Sequence, residues 1–425
     1  MALIIEGGLD LPLPRMVSVR QKFPGERIAD IPGEISGLFR RDGRTSRIRA
    51  GSRIAVAVGS RGIHAIDRIT RAVIDELRRL GASPFIVPSM GSHGGATAEG
   101  QRQLLARFGI TEETMGVPVV SSMETVRAGS LEDGTPVWLD REAMAADGIV
   151  VINRIKPHTA FTSDYESGLL KMIAIGLGKH RGATDFHACG LDRMGELLPK
   201  LGRVVIEKAP ILFGLAVLEN AYERPARFEM VWSEEMIGRE PALLKEARAL
   251  MPRIIPGNLD VLVVHEIGKE ISGSGMDPNI TGRSSSPFFR RENVLQVQRI
   301  VVLNLSNASG GSAMGIGLAD FTTDRAVASM NVDTTWINCI TAGVTASGKI
   351  PIHMPTDREA ILLALKTCAR VRHPQSRIVW IRNTLALERI RVSEPLLAEL
   401  KDHPQIEVEG DPAPMPFDGE GNLLY

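Results

Sequence analysis

Apolar residues fall along this chain in two textures. Arg53-Ile-Ala-Val-Ala-Val-Gly59, Pro84 to Pro88, Gly148 to Asn153, Leu259 to Ile267, Gln298 to Leu305 and Ile378 to Ile381 are short apolar runs. Runs of that length read as strands buried on both faces. Between the first two the period changes: Ile66, Ile69, Val73, Ile74 and Leu77 predict an amphipathic helix over 65–80, ended by Gly81. The segment Met90-Gly-Ser-His-Gly-Gly-Ala-Thr97 leads from the second strand into a helix over 97–108. Strand, helix, strand, helix implies parallel pairing. Val117 to Ser121 reads as a further strand, Leu131 to Trp138 as a hairpin around Asp133-Gly134, and 191–208 and most of 229–251 as helix. Past Pro256-Gly257 the alternation resumes, with helices over 324–329, 357–370 and 394–401. The expectation is an α/β protein of two domains with mostly parallel sheets, 1–255 and 256–410. An irregular opening arm runs to about Arg49, with one hairpin, and a Pro-rich tail, 411–425, returns across the first domain.

Composition narrows the function by exclusion. Lys plus Arg and Asp plus Glu number 50 each, so no basic field favours nucleic acid or an anionic membrane. Aromatics at 4% are too few for a base-stacking platform. Three cysteines without a CxxC pair argue against a disulfide framework or a structural zinc site. No apolar run approaches a spanning helix, and the first residues lack a signal-peptide pattern. A cytoplasmic protein acting on a small molecule is expected, with no nucleic-acid or membrane partner.

Four segments carry candidate chemistry, and three of them fall at predicted strand ends, where open parallel sheets bind ligands. In Gly91-Ser92-His93-Gly94-Gly95-Ala96-Thr97, glycines let backbone N–H groups at Ser92 and Gly94 approach an anion beside a helix N-terminus. The loop is neither a dinucleotide nor a Walker A fingerprint, and a tight turn with an incidental histidine explains it equally well. Asn153-Arg-Ile-Lys-Pro-His158 gathers Lys156, His158, Asp164 and Glu166 near one strand end. A histidine there suits acid/base work, and a solvated polar loop is the plain alternative. In the apolar stretch 168–182, Lys171 either snorkels to the surface or sits in a site, where a desolvated amine can bond a cofactor. Lys179, His180 and Arg181 form a basic cluster able to hold a phosphate, unless they are surface cations on a buried loop. In the second domain, Lys269 and Arg283 flank a Gly- and Asn-rich loop and could meet a carboxylate across an interdomain cleft; a long ordered loop explains them as well.

In this order the segments resemble the nickel-dependent lactate racemase family. The family's Gly-x-His is matched by Gly91-Ser92-His93, its Pro-His by Pro157-His158 and its Gly-x-x-Lys by Gly168-Leu-Leu-Lys171; a further histidine, His187, follows that lysine by sixteen residues. The likeness is strong over 50–190 and only in outline beyond. It implies an active site in the cleft between two α/β domains, holding a pyridinium mononucleotide pincer whose nickel is bound by a ring carbon, two sulfurs and a histidine. His187 would be that ligand, Lys171 the thioamide tether, and His93 and His158 the paired acid/base residues on opposite faces of the substrate. Arg61 falls at the family's anion-contacting arginine, and Lys269 loosely at a substrate lysine. The implied activity is racemisation or epimerisation of a 2-hydroxy acid or sugar acid by reversible hydride transfer through a 2-keto acid. Cofactor-biosynthesis proteins would be needed for loading.

The chain also departs from that pattern. Val58 replaces the Asp of Asp-x-x-Arg in Val58-Gly-Ser-Arg61, the interval from His158 to Lys171 is about three residues longer, and His180 adds a histidine beside His187. A substrate other than lactate is expected. Rival readings are a net oxidoreductase using a nicotinamide-type cofactor, a non-catalytic cofactor-binding protein and a zinc hydrolase. The first lacks a Rossmann fingerprint and the last a compact His-x-x-x-His spacing.

Overall fold

The computed structural model describes residues 5–60, 62–292, 294–371 and 373–425. The chain opens on β1 (Met16–Gln21), and the strands continue as β2 (Arg53–Val58), β3 (Ser83–Pro88), β4 (Thr125–Ser130), β5 (Pro136–Asp140), β6 (Gly148–Arg154), β7 (Ile211–Glu219) and β8 (Pro225–Trp232). β9 (Leu259–Ile267), β10 (Val297–Leu305), β11 (Phe321–Thr323), β12 (Ile352–Met354), β13 (Ile378–Ile381), β14 (Arg389–Ser393) and β15 (Ile406–Ala413) complete the set. Two compact units result, one over Pro24–Met251 and one joining the segment up to Phe23 to Pro252–Tyr425. Both are α/β.

The Pro24–Met251 unit has a five-stranded sheet in the order β3-β2-β6-β7-β8. Its first four strands are parallel and β8 pairs antiparallel to β7. Side chains alternate across β2: Ala55 and Ala57 join one buried core, Ile54, Val56 and Val58 the other. That two-sided burial explains the unbroken apolar runs. The helix Ile66–Arg79 covers the second core with Ile66, Ile69, Val73, Ile74 and Leu77, the stripe that its spacing predicts. The Asp-Gly turn closes the β4–β5 hairpin, with Gly134 N–H donating to the Leu131 carbonyl at 3.0 Å.

Several expectations are corrected. Val117 to Ser121 makes only an isolated bridge, Val119 to Ile86. The stretch 229–251 is strand up to Trp232 and helix from Ser233 to Leu250. The opening arm contributes β1 and a helix, Ile31–Arg41. β1 lies antiparallel between β14 and β15 in the other unit's eight-stranded sheet, so the arm leaves the expected domain 1–255. The tail, expected across the first domain, has its described packing in the C-terminal unit. Met415 and Leu423 enter the core of the C-terminal unit, and Leu423 N–H donates to Asp357 at 2.8 Å. Strand pairing and a bond to the buried Asp357 carboxylate, which also holds Arg325, decide the two placements, and neither leaves a mark in local periodicity. Among the described residues no helix is long and apolar enough to cross a membrane.

Candidate active site

β2, β3 and β6 are parallel neighbours, so Val58, Pro88 and Arg154 end on the same edge of the sheet. The loop beyond β3 carries His93. Gly94 has φ 67°, and a Cβ there would stand 2.6 Å from the Gly100 carbonyl carbon, so only glycine lets the loop fold back on the next helix. Ala96 N–H closes the turn on the Ser92 carbonyl at 3.1 Å. Thr97 caps the helix Ala98–Arg107 by accepting from Gly100 N–H at 3.0 Å. The exposed His93 ring meets the Ser60 hydroxyl beyond β2 through Nδ1.

The loop beyond β6 carries His158. It is pinched at its neck by paired backbone hydrogen bonds between Lys156 and Ser167, at 2.8 and 3.2 Å. Glu166 is buried beneath it and accepts from His158 N–H at 2.5 Å, Ser163 N–H at 3.0 Å and the Arg248 guanidinium at 2.6 Å. The carboxylate thereby gathers the loop from inside. Ala160 N–H donates to His158 Nδ1 at 3.1 Å, which puts the proton of the neutral ring on Nε2. The ring packs on Phe161, with centroids 4.4 Å apart.

Lys171 ends a single helical turn, Leu169–Lys171, and a π-helical turn, Met172–Gly176, follows it. Such widened turns recur at functional sites. The Met172 carbonyl accepts from Leu177 N–H at 2.9 Å and from the Ser89 hydroxyl at 3.0 Å, tying the turn to the end of β3. Gly91 N–H donates to the Gly176 carbonyl at 3.1 Å, tying it to the His93 loop as well. Asn153 Nδ2 donates to the Gly168 carbonyl at 2.8 Å. The half-buried Lys171 bonds the Ser167 hydroxyl at 3.4 Å. His187 lies in the last turn of the helix Lys179–Ala188. Its side chain reaches solvent, yet enough protein surrounds the ring to disfavour its charged form. Burial lowers its pKa first, and the Lys171 ammonium second.

Glu240 holds the start of this segment. It is buried, and Leu170 N–H donates to it at 2.8 Å. A Cβ on Gly168 would come 2.3 Å from its carboxyl oxygen, so the close approach demands glycine. Burial raises the Glu240 pKa from its ordinary 4.5 to about 7, against the pull of the Leu170 and Leu169 N–H groups. Across that interval the folded chain binds more protons than the unfolded one, so stability should fall as pH rises, by up to roughly 3 kcal/mol. Glu240→Gln should abolish that slope. Urea unfolding of both proteins between about pH 5 and 8 checks this, and a slope that survives the substitution would refute it.

Residues 41–196 match the family model described as the lactate racemase N-terminal domain. That span, less than half of the chain, is similar to the N-terminal domain of the lactate racemase family. The crystal structure of a Thermotoga maritima protein is similar, with a TM-score of 0.48 at 14% identity over 84% of this chain and 96% of that one. The lactate racemase apoprotein of Thermoanaerobacterium thermosaccharolyticum is similar with a TM-score of 0.45 at 15% identity, over 82% of this chain and 85% of that one. No curated protein matches the chain by sequence.

Within the lactate racemase match lie His93, His158, Lys171 and His187. Lys179 lies there too, but not as a phosphate contact. Its ammonium is buried, 2.8 Å from the Asp140 carboxylate and 2.5 Å from the Pro88 carbonyl, so the expected basic cluster does not form. His180 is exposed, and Arg181 stacks on Trp138 at 3.6 Å. Arg283, expected to reach a substrate carboxylate, is committed to Asp320 at 2.5 Å and to the Leu318, Val297 and Gln298 carbonyls. It fastens its own loop to β10 and to the residues just before β11. Lys269 is exposed and donates to Asn338 at 2.7 Å in the same C-terminal unit. Arg61 lies outside the described residues. Sequence reasoning missed Ser60, Ser89, Gln101 and Glu240. Ser60 fills a variable position of Val58-Gly-Ser-Arg61 and the others stand in no motif; a buried polar residue on an otherwise apolar helix face is the trace that Gln101 and Glu240 leave.

Proposed function

We propose that the protein is a racemase or epimerase of a small 2-hydroxy acid or sugar acid, working with a nickel-pincer nucleotide. The observation that carries the reading is the joining of two histidine loops and the Lys171–His187 segment at the ends of three adjacent parallel strands. His93 reaches Ser60, the β3 loop is bonded to the Met172–Gly176 turn, and Asn153 of β6 is bonded to Gly168. The donor set fits the cofactor. Among the described residues no three His, Cys, Asp or Glu side chains group to hold a metal ion. A group that brings its own carbon and sulfur donors needs only one protein ligand, and a ring with a lowered pKa offers its lone pair at neutral pH. Lys171 stands close enough to influence that ring and presents a primary amine for a tether.

The adjacent carboxylate makes the α-hydrogen of a 2-hydroxy acid poorly acidic, so its departure as hydride avoids a dianion. When bound, the nickel-pincer nucleotide supplies the reversible acceptor for that hydrogen. The chain handles the hydroxyl proton. His158, its Nδ1 occupied by Ala160 N–H, presents Nε2–H and is set as an acid. His93 faces a hydroxyl, which can accept from Nδ1–H and so put the ring's lone pair on Nε2, the atom that would act as a base. Two neutral imidazoles held as complementary tautomers suit removal of the proton on one side and its return on the other. Glu166 fixes the backbone of the His158 loop, limiting the reorganisation that proton transfer requires.

The test uses cofactor-loaded enzyme, made together with the proteins that build the cofactor, and a panel of enantiopure, α-deuterated 2-hydroxy acids. Inversion of at least one compound with retention of deuterium is expected by chiral chromatography and mass spectrometry. Rapid loss of the label to water would point to proton abstraction and overturn the mechanism. Net accumulation of keto acid would make the protein an oxidoreductase.

A further inference from the structure

Beneath the His93 loop runs a buried polar network that the reaction does not use. Lys179 opens the helix that carries His187, with φ 55°, a left-handed conformation that a lysine rarely adopts. Its ammonium donates to the Pro88 carbonyl at 2.5 Å and to Gln101 Oε1 at 3.5 Å, and forms an ion pair with Asp140 Oδ2 at 2.8 Å. Lys179, Asp140 and Gln101 are all fully buried. Asp140 is itself fixed, taking Ala143 N–H on Oδ1 at 3.0 Å and giving its own N–H to the Leu177 carbonyl at 2.7 Å.

The ammonium settles which way the Gln101 amide points. Only Oε1 can face a group without acceptors, so Nε2 must turn the other way. There it donates to the Gly91 carbonyl at 2.9 Å and the His93 carbonyl at 3.2 Å. A buried ion pair is weak evidence for stability, because desolvation offsets most of its attraction. This one joins β5, the end of β3 and the start of the His187 helix, and it orients the side chain that grips the His93 loop on both sides of Ser92.

We propose that Gln101, oriented by the Lys179–Asp140 pair, is a positioning residue that sets the backbone of the His93 loop and so places the His93 imidazole. The inference rests on the acid/base role proposed for His93, but its first test does not. Gln101→Glu keeps the contact with Lys179 and removes both donors to the loop; Gln101→Leu removes both contacts. Hydrogen exchange is measured on the full-length chain. In both variants the amides of 91–96 should exchange at least about tenfold faster than in wild type. The exchange of the β2–β6 core should be unchanged, and in loaded enzyme kcat should fall more than KM rises.

Loop exchange equal to wild type in both folded variants would overturn the proposal. Should both variants fail to fold, the wild-type chain still decides. Its Gln101 side-chain amide protons should exchange at least about a hundredfold slower than those of the exposed Gln103. Fast exchange there would also overturn it. Failure of the proposed racemisation would leave the exchange result standing, so the two ideas fail separately.

Discussion

His187→Ala should purify without nickel while keeping its fold. The pincer's other donors belong to the nucleotide, so this side chain would be the metal's only direct hold on the protein. Removing a ligand from an otherwise satisfied site costs far more than removing a supporting group, which typically lowers affinity by about 10–100-fold. The ring is exposed in the last turn of its helix, so its loss should cost little stability. Metal analysis of wild type and variant, both made with the loading proteins, reads the effect directly. Lys171→Ala is the informative partner: it should lose the covalent nucleotide in intact-mass measurement. Stoichiometric nickel in His187→Ala would remove the ligand assignment and, with it, the cofactor reading of the Lys171–His187 pair.

His93→Ala and His158→Ala should each lower turnover by about 10²–10⁴-fold, equivalent to roughly 3–5 kcal/mol of barrier, with nickel still bound. Both should suffer in both directions, because inversion needs a base for one enantiomer and an acid for the other. The two should differ in side effects. His93 is exposed and bonds Ser60, so its removal should leave the fold unaltered. His158 gives the Ala160 N–H its acceptor and packs on Phe161, so its removal should also loosen the loop. Kinetics on loaded enzyme in both directions, with metal content measured on the same samples, check this. Turnover within about tenfold of wild type in either variant would take that histidine out of the proton-transfer role.

Much of this protein was legible in its sequence, and the reason is locality. The apolar runs of β2, β3, β6, β9, β10 and β13 and the stripe of the helix Ile66–Arg79 state their period within a few residues. His93, His158, Lys171 and His187 stand in short motifs whose order and spacing point to the lactate racemase family. Parallel pairing then carries both histidine loops to one sheet edge. Charge alone misled where residue type was taken for accessibility: Lys179 and Arg283 read as ligand-binding cations, and each is spent on a carboxylate of its own unit.

Tertiary structure alone decided the rest. The place of β1 and the tail in the C-terminal unit depends on partners hundreds of residues away along the chain. The buried supports behave the same way: Glu166 under the His158 loop, Glu240 at the turn before Lys171, Gln101 under the His93 loop. A sequence records the reactive side chains because their chemistry is rare. The groups that hold them still are ordinary polar residues, distinguished only by the backbone atoms that folding brings to them.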